Sequence, residues 1–190
     1  HGGMEKENLK TENIDALKEG LSNLDRHINN IKKFGIEPIV AINHFVLDTK
    51  KEIQTIIDFC KNLNVEVSNC KHWEEGGAGT VDLAKKVVRV CNNSKKQNFK
   101  LLYKDNKSLW EKIETIAKEI YRANKITAND EIKQKLKIFE NNGFKNFPVC
   151  IAKTQYSFSI DPKLKGAPSN HEIPIRDVRL SSGAEFIVVI

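Results

Sequence analysis

Two stretches of this 190-residue chain combine residue types that could hold a flat, polar ligand. Asn43 and Asp48 bracket Asn43-His-Phe-Val-Leu-Asp48, placing an amide and a carboxylate in one short loop. An amide donates and accepts hydrogen bonds and a carboxylate accepts them, so the pair could read the polar edge of a heterocycle. The same residues also suit an Asx turn followed by a helix N-cap, and both readings stand. Phe45 sits in that loop with no periodic pattern to bury it, and Trp73 sits in the next polar loop. Two aromatics at neighbouring strand ends can sandwich a flat ring, an interaction worth ~1–3 kcal/mol per stacked ring. They can equally close the edge of a core. Trp73-Glu-Glu-Gly-Gly-Ala-Gly-Thr80 then opens a helix. Its glycines, Gly76 and Gly77 among them, would let backbone approach a ligand, and a helix N-terminus favours an anion. No GxxxxGK[ST] occurs, so the chain holds no phosphate-cradling P-loop motif.

Weaker clusters lie further on. Lys153-Thr-Gln-Tyr-Ser157, Arg176-Asp-Val-Arg179 and Ser181-Ser-Gly-Ala184 gather polar groups beside strand-like runs, and each also suits a loop that satisfies its own backbone. Of four cysteines, none forms a CxxC pair, which argues against a zinc ribbon or a thioredoxin-like site. Cys60, Cys91 and Cys150 lie within apolar patterns and read as buried thiols. Cys70 falls in a polar stretch near His72, where a Cys–His nucleophile is conceivable but adjacency alone is weak support.

The elements that would position these residues follow from hydrophobic spacing. Ile14, Leu17, Leu21, Leu24, Ile28 and Ile31 form one stripe of a helix over 11–34, and Gly35 supplies its stop. Pro38–Ile42 is a short apolar run that reads as a buried parallel strand. A helix carrying Ile53, Ile56, Ile57 and Cys60 follows, then a strand at Val65–Val67, a loop over 69–79, and a helix from Thr80 with Leu83, Val87, Val88 and Val90. This alternation predicts a parallel sheet with crossover helices. In such sheets ligands bind at the carboxyl ends of strands, where the Asn43–Asp48 and 69–79 loops fall. The polar run Asn92–Asn98 suggests a boundary, giving one α/β domain over 1–92 and a second, smaller α/β domain over 93–190. In the second, helices are expected at Leu109–Tyr121 and Asp130–Phe139, strands at Pro148–Ala152, Ile173–Leu180 and Phe186–Ile190, and a long loop over 156–170.

Composition sets limits. Hydrophobic residues make up 39% and charged residues 29%, enough apolar content for a core and enough charge for solubility. The formal net charge of +6 is spread along the chain, as in Lys32-Lys33, Lys85-Lys86 and Lys95-Lys96, which read as solvated faces. A nucleic-acid binder would concentrate that charge in one aromatic-studded stripe. No signal peptide or membrane-length apolar run is visible, so a cytoplasmic protein is expected. The opening His1-Gly2-Gly3 before Met4 and the apolar end Phe186–Ile190 both suggest cut termini.

Together these pieces carry a resemblance that none carries alone. His1-Gly2-Gly3 is similar to the end of a "TVRALK … HGG" motif, and Asn23–Gly35 to the helix that follows it. Val40-Ala-Ile-Asn-His-Phe45 with Asp48-Thr49 resembles "VAINxFxxDT", and Trp73 with Gly76, Gly77 and Gly79 resembles "WxxGGxG". Pro148–Ser157 and Arg176–Ser181 resemble two further blocks in the same order. These are motifs of the formate–tetrahydrofolate ligase family, and the similarity covers nearly the whole chain. The resemblance implies the end of a P-loop NTPase-like domain followed by the second α/β domain. It implies ATP-dependent ligation of formate to tetrahydrofolate through formyl phosphate, with ATP and Mg2+, a monovalent cation and a homo-oligomeric parent, and with neither nucleic acid nor membrane as partner. It places the pterin between Phe45 and Trp73, makes Asn43, Asp48, Gly76 and Gly77 candidate contacts to folate or nucleotide, and puts no catalytic residue or metal ligand in this chain. The P-loop and the formyl phosphate residues of the family have no counterpart here, and Glu185 stands where a small residue such as glycine is expected. The alternative is a folate-binding or subunit-interaction module without turnover.

Overall fold

The computed structural model describes residues 2–93 and 99–190. The chain is α/β, and it divides into two compact units, His1–Lys100 and Leu101–Ile190. Lys95-Lys96 and most of the polar run at 92–98 lie outside the described residues, as does His1.

In the first unit, α1 (Ile14–Lys33) begins at Asn13, whose side chain accepts from the Ala16 N–H at 2.9 Å. A strand β1 (Ile39–Asn43), a helix α2 (Lys50–Asn62) and a strand β2 (Glu66–Cys70) follow. β1 and β2 run parallel with Ile42 opposite Asn69 and Asn43 opposite Cys70, so α2 is a crossover helix. α2 starts on a capping box. Thr49 Oγ1 accepts from the Glu52 N–H and Glu52 accepts from the Thr49 N–H, and Glu52 also accepts from Asn13 N–H at 3.2 Å. The bond that the Thr49 N–H donates to the Glu52 carboxylate is the main reason that carboxyl is held below its usual range. Ile28, Cys60 and Val65 form the buried centre, with Leu24, Val40 and Phe59 packed on it. A single helical turn α3 (His72–Glu75), a 3-10 turn at Gly76–Thr80 and α4 (Val81–Asn93) complete the unit.

Three details differ from the sequence expectation. β2 extends to Cys70 rather than ending at Val67, because parallel pairing with β1 continues to Asn43. The stretch after β2 is helical rather than open loop. The paired lysines are not all idle on solvated faces. Lys32 Nζ donates to Leu63 O at 3.0 Å, tying α1 to the end of α2, and Lys86 Nζ donates to Val67 O in β2 and to Asp82 at 2.6 Å.

The second unit contains α5 (Leu109–Glu119), β3 (Lys125–Thr127), α6 (Asp130–Asn141), β4 (Val149–Ile151), β5 (Glu172–Pro174), β6 (Val178–Ser181) and β7 (Phe186–Val189). β3 pairs parallel with β5, and a three-stranded sheet has the order β4-β7-β6, with β4 parallel and β6 antiparallel to β7. Leu109, Ile113, Leu136, Val178 and Ile187 lie in one buried cluster. β3 was not expected, since three residues are too few to show alternation. The run expected as one strand over 173–180 is two. Ile175 N–H bonds to Thr127 O, whereas Arg176 N–H bonds to Ile190 O, so the chain changes partner between them. Cys91 and Cys150 are exposed, not buried. Cys150 lies on the edge strand β4, where alternate side chains face out.

Asp177 ties α6 to β6. Its carboxylate accepts from Arg179 and Lys135, both at 2.9 Å, and from Val178 N–H at 2.8 Å. These donors, Arg179 foremost, hold the Asp177 carboxyl down from its usual 3.8 to about 2. A depressed carboxyl stabilises the fold above its unfolded pKa and loses that contribution as pH falls. Urea titrations between pH 4 and pH 2 should therefore show the parent losing more stability than Asp177→Asn; equal losses would contradict this role.

Glu185, at φ 56 and ψ 41, is left-handed where the chain turns into β7. Removing that strain recovers roughly 1–2 kcal/mol, less the roughly 0.5–1 kcal/mol entropy cost of glycine. Glu185→Gly should raise the thermal midpoint modestly, and a lowered midpoint would count against it.

Candidate functional site at the strand ends of the first unit

The carboxyl ends of β1 and β2 each feed a loop that carries an exposed aromatic. His44 N–H donates to Cys70 O at 3.0 Å, which extends the parallel ladder one step beyond Asn43. The chain then turns sharply. Asp48 N–H donates to Phe45 O at 3.0 Å, and the Asp48 carboxylate accepts from Phe45 N–H at 2.8 Å. Asp48 is therefore a clamp on the Phe45 turn. It does not cap α2, because Thr49 does. Asn43 is exposed at the end of β1.

Phe45 is 49% exposed and Trp73 is 70% exposed in this chain. Their ring centroids lie 6.0 Å apart with planes tilted by 36°, so the two loops bring the predicted pair into direct contact. A third ring between two others needs about two van der Waals thicknesses, roughly 7 Å. The pair must part by about 1 Å and flatten to admit one.

A cleft of about 420 Å³ adjoins Phe45 and is walled by Asn43, Leu47 and Asp48 over an apolar floor that includes Leu24 and Ile53. Of the sequence candidates, Asn43, Phe45 and Asp48 line this cleft, while Trp73, Gly76 and Gly77 do not.

The glycines of the second loop divide by role. Gly76, at φ 58 and ψ −139, occupies a conformation that side-chain-bearing residues avoid. A Cβ on Gly77 would meet nothing within 4 Å, so this position is open to a ligand. A Cβ on Gly79 would lie 2.5 Å from Lys71 C and 2.6 Å from Lys71 O, because Lys71 N–H donates to Gly79 O. Gly79 thus serves the fold of the loop. Gly79→Ala should cost about 1–3 kcal/mol by overpacking and displace the Trp73 turn; a variant with parental stability and Trp73 emission would refute this.

Sequence reasoning missed a polar pair behind the aromatics. Asn69, inside β2, places Nδ2 3.1 Å from His44 Nδ1, while its Oδ1 is buried without a hydrogen-bond partner. Placing residue 69 in a loop hid it. The Cys70 and His72 pairing does not form a nucleophile. Cys70 is 3% exposed, with Sγ 3.8 Å from Ser68 O, and His72 lies on the exposed turn beside Trp73. Among the described residues, no group of three or more His, Cys, Asp or Glu could hold a metal ion. No described helix is long and apolar enough to cross a membrane.

The comparisons with known proteins agree along the full chain. The family model described as formate–tetrahydrofolate ligase matches residues 1–190. The chain is 55% identical over all 190 residues to the formate–tetrahydrofolate ligase of Pelagibacter ubique, 52% to that of Ruegeria pomeroyi and 50% to that of Zymomonas mobilis. In each case it spans about a third of the relative's length, 34%. With the motifs in order and the match unbroken from end to end, this chain belongs to the formate–tetrahydrofolate ligase family.

Proposed function

We propose that this chain supplies the tetrahydrofolate-binding edge of an ATP-dependent formate–tetrahydrofolate ligase. In that reaction ATP phosphorylates formate, and the N10 amine of tetrahydrofolate displaces phosphate from formyl phosphate. The products are 10-formyltetrahydrofolate, ADP and phosphate. The observation that carries the reading is the contact between exposed Phe45 and Trp73 across the ends of two parallel strands. The pterin ring parts these side chains and stacks between them. Asp48 fixes the turn that presents Phe45, and Asn43 and the Asp48 carboxylate offer donors and acceptors to the ligand edge. Gly77 leaves room for close approach.

Residues 1–92 are read as the end of a P-loop-type nucleotide and folate domain and 93–190 as a second domain of a cytoplasmic, oligomeric enzyme. The chain carries no P-loop motif, so the phosphate chemistry falls to other residues and this chain alone is inactive. Mg2+ with ATP is held largely by phosphates and water. The described residues form no group of three or more His, Cys, Asp or Glu that could hold a metal ion, and no step here is routed through one. Two measurements test the reading. Tetrahydrofolate should quench Trp73 emission in the purified protein, leaving the Trp110 background, and an unchanged spectrum would overturn it. Formate- and ATP-dependent formyltetrahydrofolate synthesis by the 190-residue chain would overturn the assignment of phosphate chemistry elsewhere.

A further inference from the structure

The second unit contains a pocket of about 410 Å³ whose lining comes from three strands and the loop after β4. Its wall is apolar and aromatic: Ile113, Tyr121, Phe158, Ile175 and Val189 all line it, and Tyr121 and Phe158 meet edge to face at 6.2 Å and 85°. Its polar members come mostly from the loop after β4. Lys153, Gln155 and Arg176 line it and are solvent-exposed. Among the described residues, neither Lys153 nor Arg176 takes part in an ion pair, whereas the one lining carboxylate, Glu172, is paired with Lys125 at 3.0 Å. The pocket therefore holds two uncompensated cations over an apolar interior.

The loop between is ordered by its own bonds. Thr154 Oγ1 donates to Ser159 O at 2.7 Å, and Asp161 N–H donates to Ser159 Oγ at 2.9 Å. Ser157 in this loop, with Arg122 and Asn170 nearby in sequence to Tyr121 and Glu172, adopts positive φ of 65, 52 and 60. Left-handed non-glycine residues gather where surrounding structure holds a shape against local preference, often at ligand sites. A pocket of this volume, with an apolar wall and convergent polar groups, is a common form of small-molecule site.

We propose that this pocket binds a small carboxylate with a flat aromatic body, its ring against Tyr121 and Phe158 and its carboxylate between Lys153 and Arg176. A carboxylate is favoured over a phosphate because the lining includes no helix N-terminal turn to present backbone N–H groups. The pocket lies in the second unit, and the proposal does not depend on the reading given to the Phe45–Trp73 edge.

Naphthalene-2-carboxylate is a suitable probe, titrated into the purified protein by calorimetry and by ligand-observed NMR. Saturable binding is expected with a dissociation constant on the order of 0.1–1 mM. Naphthalene-2-carboxamide and the double variant Lys153→Gln/Arg176→Gln should each bind at least about tenfold more weakly, since both lose charge-assisted bonds. Both replaced residues are exposed, so the variant's melting temperature should stay parental. Phe45→Ala should bind the probe like the parent, which separates this pocket from the folate edge. Absence of saturable binding at about 10 mM, equal affinity for the carboxamide, tighter binding of 2-naphthyl phosphate, or loss of binding in Phe45→Ala would overturn the proposal.

Discussion

Trp73→Ala is expected to weaken tetrahydrofolate binding by about 5- to 150-fold, and Phe45→Ala by a similar factor, with almost no change in protein stability. The size follows from ~1–3 kcal/mol for each ring stacked on a flat heterocycle. The second half follows from exposure, because side chains that are 49% and 70% exposed contribute little to the core. The two rings touch each other before ligand arrives, so opening them loses one aromatic contact and gains two. The double variant should therefore be less than additive, since either single change already leaves the remaining ring without its partner. Trp73→Phe should recover most of the affinity, because it keeps an aromatic face. Isothermal titration of the full-length protein gives the comparison. Equal affinity in parent and Trp73→Ala would remove the stacking role and, with it, the main support for the functional reading.

Lys112→Met is expected to destabilise the second unit by about 2–4 kcal/mol. Lys112 is completely buried, and its ammonium donates to Lys145 O at 2.7 Å and to Phe147 O at 3.0 Å, with the Tyr103 ring centroid 5.8 Å away. Those carbonyls belong to the turn that leads into β4, so one side chain of α5 fixes where that strand begins. Burial, above all, lowers the Lys112 pKa, while Asp105 and Glu140 act in the opposite direction. Methionine fills a similar volume but donates nothing. The Lys145 and Phe147 carbonyls, both in part-buried contacts, then lose their donor, at roughly 1–3 kcal/mol each. For a unit of this size, each kcal/mol moves the midpoint by about 4–8 °C. A fall of roughly 10–25 °C in the second unit's transition is the expected result, and a change below about 3 °C would show that the bonds contribute little.

Much of the molecule was legible before any coordinates. The α1 stripe and the parallel β1–α2–β2 crossover rest on rules of hydrophobic period and chain reversal. Phe45 and Trp73 could be picked out because neither fits a periodic pattern, which is itself a local observation. The stacking role proposed for the pair needed the family resemblance, since the residues alone left a stacked ligand and a closed core edge as open alternatives. The misreadings share a cause. Cys91 and Cys150 were placed inside the core because an apolar neighbourhood in sequence does not say which side of an element meets another, and residue 69 in a loop because the pairing with β1 that extends β2 lies outside any local window.

What the sequence determined by itself was the class of fold, the order of its main elements and the identity of the exposed aromatics. These are consequences of short-range sterics and of hydrophobic period. Only the tertiary structure decided that Phe45 and Trp73 are in contact, that Asp48 clamps a turn instead of capping a helix, and that Gly79 yields to Lys71. It also decided that Lys112 is buried on two carbonyls and that Lys153 and Arg176 line one pocket. Each depends on residues far apart in the chain, brought together by strand pairing and core packing, which no local window encodes.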